Sequence, residues 1–404
     1  MNTSFKKIQG GVTAPNGFTA TGVHCGIKKE KLDFAIVYSQ EQAVAAGVYT
    51  TNAVQAAPIL VTKKNMKENK MARAFVINAG NANACTGEKG YQDAEKMVAL
   101  AAEKLGCAKD EIIVSSTGVI GVSLPMDAVE QGIEQASVNL SKEGSCKAAE
   151  AIMTTDTYSK EIAIEFELGG KLVKIGAMSK GSGMIHPNMA TMLGFITTDA
   201  DIDAFALEEA IKDATGNSFN MITVDGDTST NDMVAIMANG TANNEKVTLD
   251  SLEYAKFYEA LEYICVEMAK QIARDGEGAT KLLEVEVKNA KTKEDAKKAA
   301  MAVVKSSLVK TAIFGEDANW GRIICAVGYS GAKFNPEKVD ISIGDEPMAI
   351  DGTGLAFDED RAKEILKEDH IKVFVNFKDG DQKATAWGCD LSYDYVKING
   401  SYRT

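Results

Sequence analysis

Only three histidines occur among the 404 residues, His24, His186 and His370, in unrelated contexts. A nucleophile that depends on an imidazole base therefore has few ways to be built. No HExxH, no G-x-S-x-G elbow and no G-x-x-x-x-G-K-[ST] phosphate loop is present, and Gly181-Ser182-Gly183 lacks the third glycine of a dinucleotide fingerprint. The run Asp225–Asp232 has the look of a calcium loop, but its sixth position is Thr230 and its twelfth is Ile236, so it reads as a hydrogen-bonded turn. What remains is the stretch Lys180 to Phe195, in which small residues precede Thr191. A threonine hydroxyl needs a base, and the α-amine of Thr191 itself, with a pKa near 8, supplies one once the Ala190–Thr191 peptide is broken. The same hydroxyl can attack the preceding carbonyl and convert the peptide to an ester that water cleaves. Nearby glycines and Pro187 could hold a strained turn that helps. On the residues alone two readings stand: a nucleophile released by self-cleavage, and a strand-initial threonine with no chemical role.

Elements that would position such a site follow from periodicity. Ala74–Asn78 is a strand candidate feeding a Gly/Asn-rich loop, Ala79–Gly87, and a helix near 92–105 buries Ala94, Met97, Val98, Ala101 and Leu105, with Gly106 as its stop. Ile112–Val114 is a short strand candidate running into a polar turn at Ser115–Gly118. Alternation over 161–168, Gly169-Gly170 and Lys171–Met178 predict a hairpin that delivers the chain to Lys180, and Thr191 opens the next apolar stretch. The spacing of Phe257, Leu261, Ile264, Met268 and Ile272 predicts a helix over 252–274, with Glu277 just past its stop. Further on come a strand at Leu283–Lys288, a helix opened by Thr292 with Asp295 in capping-box spacing, and strands near 310–314, 339–343, 371–377 and 383–391. A domain change is expected around 280–290.

With 45% apolar and 25% charged residues the chain is an ordinary globular protein of mixed α/β class, with ample core for two or three domains. Its formal net charge of -13 argues against nucleic acid or anionic lipid as a partner and for a small-molecule site. Seven scattered cysteines, with no CxxC pair, suggest reduced thiols rather than disulfides or a zinc site. The N-terminus lacks the apolar core of a signal peptide and no run approaches a bilayer span, so the expectation is a cytosolic protein.

Seven motifs occur in order along the chain: Asn78–Ala84, Ser115–Gly118, Thr154–Thr157, Lys180–Leu193, Val224–Asp232, Asp275–Lys281 and Asn319–Arg322. In these the chain resembles, over essentially its full length, the ornithine acetyltransferase (glutamate N-acetyltransferase) family of arginine biosynthesis. The resemblance implies an N-terminal-nucleophile-type fold, similar to that of the DmpA aminopeptidases, with sheets flanked by helices and a smaller C-terminal α/β part. It implies cleavage between Ala190 and Thr191 into an α chain 1–190 and a β chain 191–404, joined as a heterotetramer of two of each, with Thr191 as nucleophile. Thr117 and Gly118 match the oxyanion-hole positions, a hydroxyl and a backbone amide suited to a tetrahedral oxyanion. Thr154, Lys180, Thr191, Glu277, Asn399 and Thr404 match substrate-binding positions. Lys180 could meet a carboxylate or support the nucleophile, and Glu277 could meet the ornithine ammonium. His186 stands where the family has a small residue and is expected to be incidental. The implied reaction moves an acetyl group from N-acetylornithine to glutamate with no cofactor or metal, acetyl-CoA being a possible further donor. Two alternatives remain at this level: a self-processing aminopeptidase, in which water takes the acyl group, and an uncleaved, non-enzymatic small-molecule binder.

Overall fold

A computed structural model describes residues 5–186 and 192–401. Ala190, Thr191 and Thr404 lie outside the described residues. The chain builds a mixed α/β architecture on two sheets. The larger has nine strands among the described residues. From one edge it runs Phe5–Ile8, Lys160–Leu168, Lys171–Lys180, Leu193–Thr198, Met233–Ala238, Phe34–Tyr49, Met71–Asn81 and Ile112–Val119, with Phe18–Val23 paired to Phe34–Tyr49. Leu193–Thr198 lies antiparallel to Lys171–Lys180 and parallel to Met233–Ala238. It is buried at every residue, as expected of a central strand covered on both faces.

The second sheet has seven strands, among them Ile222–Thr223, Leu282–Ala290, His370–Asn376 and Gln382–Cys389. The chain enters it for good through Leu282–Ala290. The helix Glu253–Arg274 packs on the strands Lys160–Leu168 and Lys171–Lys180 of the first sheet and on Gln382–Cys389 of the second. Its period-3.6 apolar face (Phe257, Leu261, Ile264, Met268, Ile272) is fully buried. One apolar cluster consequently runs from Ile175 and Ile196 through Ile264 to Val285 and Val373. Fixing both sheets to one helix holds the chain segments that leave their ends in a constant relation.

The hairpin, the long helix and the Thr292 cap are as the sequence predicts; the Thr292 hydroxyl accepts from the Asp295 amide at 3.1 Å. Two expectations need correcting. Residues 310–314 belong to the helix Ser307–Phe314, which Ser306 caps by accepting from the Val309 amide; Val309, Ala312 and Ile313 are its buried face. The apolar residues there follow a helical period that the short window concealed. Ser115–Gly118 is no free turn either, because the strand continues to Val119, its residues paired in parallel with Ile77–Gly80. Among the described residues no helix is long and apolar enough to cross a membrane.

Candidate active site

The first sheet's strand ends, the turn after Arg274 and the C-terminal helix Tyr393–Ser401 enclose a cavity of about 420 Å³. Thr117, Gly118, Thr154, Lys180, Glu277 and Asn399, drawn from positions 282 residues apart in the chain, all line it. Every sequence-predicted site residue within the described residues is thus in one place. Asp225, Asp227, Ser229, Asn231 and Tyr395 share the lining; the first four belong to the run read from sequence as a hydrogen-bonded turn, and none was given a site role there.

Thr117 and Gly118 end up on the cavity wall because two parallel strands pinch together there. Gly118 pairs with Gly80 and has φ +131°, and a β-carbon on it would lie 2.3 Å from the Gly80 carbonyl carbon. Only glycine fits. Asparagines lock this corner. Asn231 donates to the Ser116 carbonyl at 2.8 Å and to the Ala82 carbonyl at 2.7 Å, while the Ser116 hydroxyl donates to Asn78 Oδ1 at 2.6 Å. The pair is therefore held by side chains of both the Asn78–Ala84 and the Val224–Asp232 motifs.

Lys180 enters from the last residue of its strand, and its ammonium donates to Thr154 Oγ1 at 2.8 Å and lies 3.7 Å from Asp156 Oδ2. Behind it sits a chain of buried charges. Lys160, fully buried, bridges Asp156 at 2.8 Å and Asp275 at 2.5 Å. Asp156 also accepts from the amides of Thr154 at 2.9 Å and Gly181 at 2.7 Å, and Asp275 accepts from the amide and hydroxyl of Thr157. Burial pushes the Asp156 carboxyl up, but Lys180 and Lys160 outweigh it and hold the group well below the usual carboxylate range. Two lysines against two aspartates leave the cluster neutral, which is what lets it stay dry. It joins three walls of the cavity: the 154–157 turn, the end of the Lys171–Lys180 strand and the turn at Asp275.

Glu277 lines the same cavity as Lys180. Its amide donates to the Ser182 carbonyl at 3.0 Å and its Oε2 accepts from Asn399 Nδ2 at 2.8 Å, which ties the C-terminal helix to the site. Gly183 touches the same carboxylate; a β-carbon there would sit 2.3 Å from Glu277 Cδ. Asp225 spends its oxygens on the amides of Met184 at 2.6 Å and Ile185 at 2.9 Å, so the acidic run forms a wall of hydrogen-bonded turn. Among the described residues no group of His, Cys, Asp and Glu is arranged to hold a metal.

Met192, the residue bonded to Thr191, is fixed by its amide, which donates to Asp232 Oδ1 at 2.8 Å. Met192, Leu193, Asp232, Thr117 and Lys180 line a second, small space of about 10 Å³. Asp232 is fully buried, and burial pushes its carboxyl well above the usual range despite the Met192 amide and the Lys180 charge. His186 lines neither space. Its Nδ1 is 3.2 Å from Thr223 Oγ1 and its Nε2 3.5 Å from Lys305 Nζ. Burial and then the Lys305 charge lower its pKa. Asp156, Lys160 and Asp232 were missed from sequence because their roles come from burial and from partners far along the chain. A buried-looking lysine at the start of an apolar hairpin strand was the one available signal for Lys160.

The sequence profile of the ArgJ family matches residues 19–404. The arginine biosynthesis bifunctional protein ArgJ of Symbiobacterium thermophilum is 57% identical over 400 residues, covering 98% of this chain and 99% of that protein. The protein of the same name from Caldanaerobacter subterraneus subsp. tengcongensis is 54% identical over 401 residues, covering 98% and 99%. A crystal structure of the arginine biosynthesis bifunctional protein argJ from Bacillus halodurans is similar at 53% identity and a TM-score of 0.52, covering 52% of this chain and 100% of that one.

Proposed function

Since the chain belongs to the ArgJ family, we propose that it is an acyltransferase that moves the acetyl group of N2-acetylornithine to glutamate through an acetyl ester on Thr191. Thr191 Oγ attacks the acetyl carbonyl carbon while its α-amine takes the hydroxyl proton. The C–N bond breaks and ornithine leaves with that proton on its nitrogen. Glutamate's amine then attacks the ester and restores the hydroxyl. Thr117 and Gly118 receive the oxyanion in both halves. Lys180 and Glu277, a cation and an anion lining one cavity, suit a substrate that carries both a carboxylate and an ammonium. A space of about 420 Å³ is ample for an acylated amino acid.

The observation that carries this reading is the convergence of Thr117, Gly118, Thr154, Lys180, Glu277 and Asn399 on one cavity, beside the anchored amide of Met192. The reaction exchanges one amide for another, so neither cofactor nor metal is needed, and exclusion of water matters more than driving force. The word bifunctional in the relatives' names favours a second donor, acetyl-CoA. Self-cleavage would leave pieces of 190 and 214 residues. The crystallised Bacillus halodurans chain, matched in full by about half of this one, has the length of such a piece. A cytoplasmic heterotetramer of two α and two β chains completes the proposal.

Purified protein given acetylornithine and glutamate should release ornithine and acetylglutamate in equal amounts, with parallel double-reciprocal lines. Hydrolysis of N-terminal peptide bonds outpacing transfer would favour the aminopeptidase, and a chain that binds these amino acids uncut and without turnover would be the binder. Replacing acetylornithine by acetyl-CoA in the same assay reads the second activity.

A further inference from the structure

A threonine that uses its own α-amine as base lacks that base before the cut, because the nitrogen is then an amide. Some other group must take the hydroxyl proton during self-cleavage and hand one to the nitrogen that leaves. Resting on the reading of Thr191 as a self-cleaving nucleophile, we propose that Asp232 is this proton carrier: Oδ2 takes the Thr191 hydroxyl proton as Oγ attacks the Ala190 carbonyl carbon, and returns it to the departing nitrogen.

Geometry selects this carboxyl. Its Oδ1 accepts at 2.8 Å from the amide of Met192, the residue bonded to Thr191. Its Oδ2 is buried and has no hydrogen-bond partner among the described residues. The neighbouring Thr50 hydroxyl spends its proton on the Ser229 carbonyl at 2.8 Å instead. A buried carboxyl oxygen without a partner is costly and calls for an explanation. This one belongs to a carboxyl that opens onto the small space shared with Thr117 and Lys180. The residue that would neutralise the oxyanion and the residue that would carry the proton therefore flank the same spot.

Rival carboxylates lie elsewhere: Glu277, Asp225 and Asp227 line the larger cavity but not the small space beside Met192. Asp225 also accepts from three amides, and the Lys180 ammonium is a donor committed to Thr154. His186 is held between Thr223 and Lys305 and lines neither space. Burial raises the Asp232 carboxyl above the usual carboxylate range, which makes it a stronger proton acceptor than an exposed aspartate.

The step is balanced. One C–O bond forms between Thr191 Oγ and the Ala190 carbonyl carbon, the C–N bond breaks, and the hydroxyl proton ends on the freed amine. Water then hydrolyses the ester to the Ala190 carboxylate and the Thr191 hydroxyl.

Asp232→Asn tests it. The amide keeps an oxygen for the Met192 N–H and matches the volume of the acid but carries no proton. Freshly refolded D232N precursor, followed by intact mass, should cut at least about 100-fold more slowly than wild type, the usual worth of a general acid–base. Its thermal unfolding should match that of the uncut T191A chain within a few degrees. Hydroxylamine, which cleaves esters and spares amides, should leave it whole. Cutting at the wild-type rate, or a hydroxylamine-labile junction at 190/191, would overturn the assignment, since the ester would then form without Asp232. If the D232N chain is insoluble, D232S, which keeps a hydroxyl acceptor, carries the same readouts. T191A separates the two claims: if it is cut, the nucleophile reading itself fails; if it stays whole while D232N cuts normally, only Asp232 falls.

Discussion

Gly183 shows how tightly single residues are specified here. A β-carbon would overlap the Glu277 carboxylate at 2.3 Å, so Gly183→Ala must push that carboxylate off its wall. Displacing a positioned group by about an ångström costs on the order of 100-fold in rate, and the G183A enzyme should lose roughly that in kcat/KM for acetylornithine, with thermal stability little changed. His186→Ala should do far less. The ring lines neither cavity, is half-buried beside Lys305, and cutting and turnover should stay within a few-fold of wild type. Residues of this kind divide cleanly in legibility. Thr117, Lys180 and Glu277 stood in recognisable motifs, Asn399 matched a family position near the chain's end, and the fold gathered them. Lys160 and Asp232 did not stand out, because a lysine among apolar residues or an aspartate in an acidic run gains its meaning only from partners such as Asp275 and Met192, 115 and 40 residues away.

Among elements, the buried charge cluster carries the clearest energetic consequence. It pins the 154–157 turn, the end of the Lys171–Lys180 strand and the turn after the Glu253–Arg274 helix to one another. Lys160→Met would strand two buried carboxylates, and breaking such a pair costs about 3–5 kcal/mol. The K160M chain should show a correspondingly lower denaturation midpoint in urea. For Asp156 the sign follows from its depressed folded pKa. Its contribution is present above the unfolded value of about 3.9 and is lost as pH falls through the lower folded value. Melting temperatures taken below pH 4 should therefore fall steeply in wild type, and in Asp156→Asn should start lower at neutral pH and fall less. Periodicity made the hairpin and the long helix legible, since both run for many residues with a constant pattern. Residues 310–314 were mistaken for a strand because a helix of eight residues with three buried apolar positions fits either period. Ser115–Gly118 was taken for a turn because its polar side chains hide a backbone paired with a neighbour.

At the scale of the molecule, the proposed cut passes through a structure that both pieces share. Thr117, Lys180 and Asp156 lie before it; Asp232, Glu277 and Asn399 lie after it. Leu193–Thr198, on the far side of the junction, stays hydrogen-bonded to Lys171–Lys180 on the near side. The two pieces should thus co-elute as one particle in native gel filtration and part only in denaturant. Mixed α/β class and a small-molecule site could be read from patterning and a net charge of -13. The sharing of one core by two sheets could not, since it depends on which helix face meets which sheet. The most direct test of the central claim is the intact mass of purified wild-type and Thr191→Ala protein, measured beside acetyl transfer. The account predicts two wild-type pieces meeting at Ala190/Thr191 with active transfer, and a single inactive T191A chain of 404 residues. A T191A chain that is cut at that junction, or that transfers acetyl at the wild-type rate, would contradict it.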